Sequence, residues 1–266
     1  MSTQPTPPDE PTALEAPVPA PPALPRDAAY WAEYVSTLQL GEVPAGALNL
    51  NVSGKRLVGP IQGFGRMWQK TYRVRLAGAE VTPAEVVAVW KERFASYWPK
   101  RGRFYGPAAP VAPGDVALLN LKAPGGVRLS TGVMVLYADE ESFTFMNPEG
   151  HMFAGWITFS AAAEEGVTVA QAQVLIRASD PLFELAMPLG MSRIEDRFWL
   201  QTLRALAAHH GVAEATVETT TVCVDRRRQW AKWRNVRHNA GVRSTLHTAA
   251  APLRLLGRPF QGRRAG

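Results

Sequence analysis

Cysteine is nearly absent: Cys223 is the only one in 266 residues, which excludes an internal disulfide and every cysteine-based zinc knuckle. Long apolar runs are missing too, since no stretch of about eighteen apolar residues occurs to span a bilayer as a helix. The amino-terminus has no basic start followed by an apolar core, the pattern of a secretion signal. A cytoplasmic protein is therefore expected. Histidine is scarce, with five residues at 151, 209, 210, 238 and 247. None falls in an HExxH pattern or at paired ligand spacing, so neither a metal site nor a cofactor is expected. Phosphate loops are missing as well. Gly63-Phe64-Gly65 has Trp68 where a dinucleotide fingerprint needs glycine, and Gly54-Lys55 is followed by Arg56 where Ser or Thr would hold magnesium. No GxSxG elbow appears.

What is present is a packable composition. Apolar residues make up 46% of the chain and charged residues 20%, which suits one core of ordinary size and excludes wholesale disorder. The net charge of +6 is unevenly placed. Eleven of the 29 Lys and Arg lie after residue 224, against the single acid Asp225, so the first 224 residues carry a net −4. Residues 1–26 hold nine of the 22 prolines and read as a disordered leader. Three regions follow: an N-terminal extension over 27–69 with a short helix at 27–39, a folded domain over 70–212, and a strand-like segment with a basic amphipathic tail over 213–266.

The domain opens with Tyr72, Val74 and Leu76 alternating with Arg73 and Arg75, the period of a half-buried strand. Thr82-Pro83-Ala84-Glu85 is a capping-box helix start, and Val86, Val87, Trp90, Phe94 and Tyr97 give the helix one apolar face. From 115 to 176 the signals are β: strands at 116–121, 132–137, 142–145, 153–159 and 167–176, separated by turns at 123–126, 138–141, 147–150 and 164–166. Asp180-Pro181 then opens a long helical stretch to Gly211, with Pro188 and Gly190 predicting a kink or a split.

This order of strand, helix, antiparallel meander and long last helix resembles the helix-grip fold of the START-like (SRPBCC) superfamily. Local sequence is similar to an uncharacterised bacterial branch of it. The resemblance rests on the Pro148-Glu149-Gly150-His151 turn leading into Gly155-Trp156-Ile157-Thr158-Phe159, on Asp180-Pro181-Leu182 with Met187-Pro188-Leu189, and on the Arg193–Arg197 segment. It covers about residues 70–210. One departure is that only one helix is clear after the first strand where the superfamily usually carries two. The resemblance implies an α+β fold, a curved antiparallel sheet wrapped around a long C-terminal helix. It also implies a hydrophobic ligand, and some members act as cyclases or hydrolases.

The chemistry-bearing residues are few. His151 beside Glu149 on a turn suits proton transfer near neutral pH, and the plainer reading is a turn histidine that bonds its neighbours. Arg177, Asp180, Arg193, Glu195 and Arg197 are polar candidates at the helix and sheet ends, against which stands a role as solvated charges. Cys223, in the alternating stretch 217–224, reads as a small hydrophobe. The aromatic and methionine content is more informative. Trp90, Phe94, Met134, Phe143, Phe145, Trp156, Phe159 and Phe198, with Met152 and Phe153, fall on predicted sheet and helix faces. They are either filled core or the lining of an apolar pocket, and the resemblance favours a pocket.

In the tail, Asp225 is placed to cap a helix in which Trp230, Trp233, Val236 and Ala240 form a stripe beside basic residues. Arg226, Arg227, Arg228, Trp230, Trp233, Arg234 and Arg237 suit an anionic membrane surface, and nucleic acid to a lesser degree. Packing of the tryptophans on the body is the plainer alternative. The leading expectation is a non-catalytic or weakly catalytic protein that binds a small hydrophobic molecule between sheet and last helix. A cyclase- or hydrolase-type enzyme, and an interaction module acting through the tail, are the alternatives.

Overall fold

A computed structural model describes residues 27–100, 102–106, 110–122 and 128–250. The expected leader over 1–26, the turn over 123–126 and the last part of the basic tail lie outside the described residues.

Eight strands form one antiparallel sheet: β1 (Met67–Arg75), β2 (Gly102–Tyr105), β3 (Val116–Lys122), β4 (Arg128–Ala138), β5 (Ser142–Met146), β6 (Phe153–Glu164), β7 (Val167–Ala178) and β8 (Val217–Asp225). Their order is β2-β3-β4-β5-β6-β7-β1-β8, so β7 returns to pair with the first strand. Local irregularities bend the sheet. The β4–β5 register shifts between Val135 and Tyr137. Gly155 in β6 has φ +145, with no room for a Cβ, which would meet the Leu175 carbonyl at 2.1 Å.

Helix α1 (Pro83–Arg93) starts at the expected capping box: the Glu85 amide donates to Thr82 Oγ1 at 3.3 Å and the Thr82 amide donates to the Glu85 carboxylate at 2.8 Å. The long C-terminal helix is split as Pro188 and Gly190 predict. Helix α2 (Pro181–Ala186) is followed by one π-helical turn over Met187–Met191, with Gly190 at φ 118, and then α3 (Ser192–His209). Helix α3 packs against β1, β7 and β8. This is a helix-grip α+β fold, a curved antiparallel sheet holding its long helix. The core on the concave face is aromatic: Phe94 lies 4.9 Å from Phe145 and 5.2 Å from Phe159, Trp90 lies 5.1 Å from Phe159, and Phe143 stacks on Phe159 at 4.7 Å, centroid to centroid.

Several local expectations are corrected. Strand β2 falls where no strand was expected, in a stretch bordering proline-rich sequence, because Phe104 joins the aromatic cluster and its backbone pairs with β3. The short helix over 27–39 shrinks to a 3-10 turn, Ala28–Tyr30, capped by Asp27. Trp31 bridges to Tyr137 instead, and the Ala32 amide donates to the Leu136 carbonyl. The rest of the extension covers the convex face of the sheet, where Leu38, Val52, Leu118 and Met134 form a second core.

The C-terminal segment also differs. Asp225 caps no helix, because it ends β8 and pairs with the buried Arg177, whose guanidinium also donates to the Gly65 and Arg227 carbonyls. A 3-10 segment runs over Trp230–His238 and the α-helix begins later, as α4 (Ala240–Ala249), capped by the Asn239 side chain. The expected tryptophan stripe is therefore not one α-helical face. Asn239 also donates to buried Asp180, which caps α2, and the Ala240 amide donates to the Gly150 carbonyl. Gly150 has φ +90, and a Cβ there would lie 2.0 Å from the His238 carbonyl. We predict that Gly150→Ala costs on the order of 1–3 kcal/mol in chemical denaturation. Amides of 230–249 should lose hydrogen-exchange protection first.

Candidate functional site

The concave face is not filled. A cavity of about 910 Å³ lies between the sheet, the π-helical turn, α3 and α4. Helix α3 contributes one stripe, Ile194, Phe198, Gln201 and Ala205, at spacings of four, three and four residues. The sheet contributes Leu119, Leu129, Val133, Phe145, Ile157, Val174 and Ile176 among others. Trp98 and Trp199 also line it.

Of the residues expected at the ligand, Phe145, Trp156 and Phe198 reach the cavity, as do Met152 and Phe153. The Trp156 ring also lies against Gly59 on the convex side. Trp90, Phe94, Phe143 and Phe159 are instead packed together in the core, and Met134 faces the convex layer. Gly241 and Thr245 of α4 are lining residues that carry no sequence signal, since only the fold brings residues 241–245 to this wall.

The wall also carries polar groups, some held by partners and some not. Glu195 is buried and faces Lys70 of β1, whose ammonium group donates to Glu195 at 2.8 Å, to Asp196 at 2.7 Å and to Ser192 at 2.9 Å. The Tyr72 hydroxyl donates to Asp196 at 2.7 Å. Burial raises the Glu195 pKa, with Lys70 opposing that rise. Burial also works against the charge on Lys70, but the two carboxylates outweigh it and hold the proton on.

His151 is buried at the start of β6 and lines the cavity. Its Nδ1 lies 3.0 Å from the Phe153 amide, which donates to it, and 3.1 Å from the Phe153 carbonyl. Burial pushes its pKa down to about 4, with the Phe153 backbone contact opposing. Glu149 does not join it, turning to Arg56 at 3.0 Å and His238 at 3.6 Å. Of the other polar candidates, Arg177 is buried against the Gly65 and Arg227 carbonyls, Asp180 caps α2, and Arg193 and Arg197 are exposed, the latter also lining the cavity. Half-buried Cys223 sits on β8.

The seven tail residues expected at a membrane or nucleic acid, Arg226, Arg227, Arg228, Trp230, Trp233, Arg234 and Arg237, are all exposed. Trp230 is 70% exposed although its ring edge meets Phe64 at 5.2 Å, and Arg234 lies over Trp233 at 5.6 Å. Arg228 donates to Glu184 at 2.8 Å. Among the described residues no helix is long and apolar enough to cross a membrane, and no group of three or more His, Cys, Asp or Glu is gathered to hold a metal.

No protein-family model matches the sequence, and no curated protein matches it. Solved structures similar to it include Ms6760 from Mycobacterium smegmatis, at 14% identity over 53% of this chain and 89% of that one, with a TM-score of 0.39. The di-domain ARO/CYC StfQ from the steffimycin biosynthetic pathway matches at 13% identity over 55% of this chain, with a TM-score of 0.44, and this chain spans 51% of its length. Ginseng major latex-like protein 151 from Panax ginseng matches at 14% identity over 55% of this chain and 99% of that one, with a TM-score of 0.37.

The His151 environment sets a pH dependence. A folded pKa of about 4 lies below the unfolded value of 6.5. Between these values the unfolded chain takes up a proton that the folded one refuses, so stability falls as pH drops through that window. The loss should approach about 3 kcal/mol by its lower edge. Urea denaturation at pH 7 and pH 4.5 should show a larger loss for the natural protein than for His151→Gln.

Proposed function

We propose that the protein is a START-like helix-grip protein that binds a small hydrophobic molecule in the cavity between sheet, α3 and α4. The observation that carries this reading is the cavity of about 910 Å³ walled by Leu119, Val133, Phe145, Ile157, Val174 and Phe198. Its size and make-up are those of small-molecule sites, about 300–1,000 Å³ with mainly apolar walls. Two observations favour binding over cyclase- or hydrolase-type catalysis. Glu195 is neutralised by Lys70, and the Nδ1 of His151 is taken by its own backbone, so these two groups form no free acid–base couple. Native mass spectrometry of the freshly purified protein should show a small molecule retained and lost on denaturation. Val133→Trp, which fills part of the cavity, should retain at least about tenfold less. An apo mass for the natural protein would overturn the reading.

A second reading concerns the surface, and Trp230 carries it. An indole that is 70% exposed, with half-exposed Trp233 and five exposed arginines within residues 226–237, suits peripheral contact with an anionic membrane. Trp230→Ala/Trp233→Ala should cut flotation with phosphatidylserine vesicles severalfold and leave the cavity ligand bound. Unchanged flotation together with salt-sensitive DNA binding would transfer the surface to nucleic acid.

A further inference from the structure

We propose that the molecule in the cavity carries a neutral hydrogen-bond-accepting oxygen, such as a ketone carbonyl, and that His151 and Asn147 receive it. This deepens the cavity reading and rests on it. The two residues flank the β5–β6 connection. Asn147 follows the inward-facing Phe143 and Phe145 at the next strand period, and His151 lies just before β6. Both are 7% exposed and both line the cavity.

The hydrogen bonds of His151 decide which ring nitrogen is free. With the proton on Nε2, Nδ1 accepts from the Phe153 amide at 3.0 Å; with the proton on Nδ1 it would donate to the Phe153 carbonyl at 3.1 Å and set two N–H groups facing each other. The proton of the neutral ring then sits on Nε2. Among the described residues no hydrogen bond is made by that Nε2–H or by the Asn147 side-chain amide. A small number of unpartnered polar groups in an apolar wall is what orients a ligand, and Trp98 Nε1 and the Tyr97 hydroxyl on the same wall are buried without a partner too. Burial keeps the ring uncharged at neutral pH, so it suits a carbonyl better than a carboxylate. Among the described residues the carboxylate on the wall, Glu195, is already engaged by Lys70, while Lys100, Lys122 and Arg197 also line the cavity. Gly241 and Thr245 of α4 line the same cavity, and α4 is tied to this connection through the Ala240–Gly150 hydrogen bond.

Fluorene and 9-fluorenone are rigid probes of the same shape that differ in one carbonyl. In equilibrium dialysis with the full chain, 9-fluorenone should bind on the order of tenfold more tightly than fluorene, the size of one buried hydrogen bond. His151→Phe and Asn147→Ala should each shrink that ratio. Nitrogen-15 NMR of the imidazole should show the Nε2–H tautomer at pH 7 and a shift with 9-fluorenone but not with fluorene. Equal affinity for the two probes, or an Nδ1–H tautomer, would overturn this proposal and leave the cavity reading standing. Binding of neither probe would overturn both. Should His151→Phe fail to fold, the probe ratio of the natural protein and the tautomer still decide.

Discussion

An ammonium group on the concave face of a sheet can keep its charge only if carboxylates are brought to it, and that requirement sets where α3 lies. Lys70 is 2% exposed and reaches three side chains in the first turns of α3: Ser192, Glu195 and Asp196. Removing one partner of such a pair leaves an uncompensated buried charge, so the cluster specifies position more than it adds stability. Further along, Thr202, Leu203, Leu206 and Ala207 are buried. Glu195, Thr202, Leu203 and Leu206 make one stripe of the helix, and docking it fixes the rotation of α3 about its axis. The adjoining stripe, from Ile194 to Ala205, then faces open space. The cavity is a consequence of how the helix is turned.

Closure of that space depends on the chain after α3. Strand β8 extends the sheet beyond β1, and the following segment is stitched down by Arg177, Asn235 and Asn239. The residues between Arg226 and Thr245 thus have two roles on opposite sides. Inward they supply Gly241 and Thr245 to the cavity wall, and outward they carry the exposed arginines and tryptophans. The basic segment that composition alone sets apart from the body is a structural part of it up to α4.

Much of the architecture was legible because local rules suffice for it. Alternation or a continuous apolar run marked most of the strands, Thr82 and Glu85 marked the start of α1, and Pro188 with Gly190 marked the break before α3. The pairing of β8 with β1 was not legible, since Tyr72 and Thr219 become neighbours across about 150 residues and nothing local announces it. The identity of the lining was legible only in part. Phe143 and Phe145 have the same sequence character and the same face of β5. The depth of the aromatic cluster decides that Phe145 reaches the cavity and Phe143 does not. Nothing local in Gln69-Lys70-Thr71 marks Lys70 for burial, because its carboxylate partners lie more than a hundred residues away.

Apolar walls and polar groups contribute different things to a site of this kind. Burial of hydrocarbon is non-directional and grows with area, so the long walls of β3 to β7 favour many molecules of suitable size without ranking their orientations. Orientation requires a group whose partner must sit at one place. Once Glu195 is consumed by Lys70, the groups left for that task include the unpartnered Trp98 Nε1 and Tyr97 hydroxyl elsewhere on the wall, with Asn147 and His151 at the β5–β6 connection. That connection is held by the same contact that seats the C-terminal segment, the Ala240 amide on the Gly150 carbonyl, with glycine required at 150 for the close approach of His238. Selectivity at the polar end and docking of the C-terminal segment are therefore mechanically one problem. A substitution that loosens α4 should blur ligand orientation before it changes the apolar volume available.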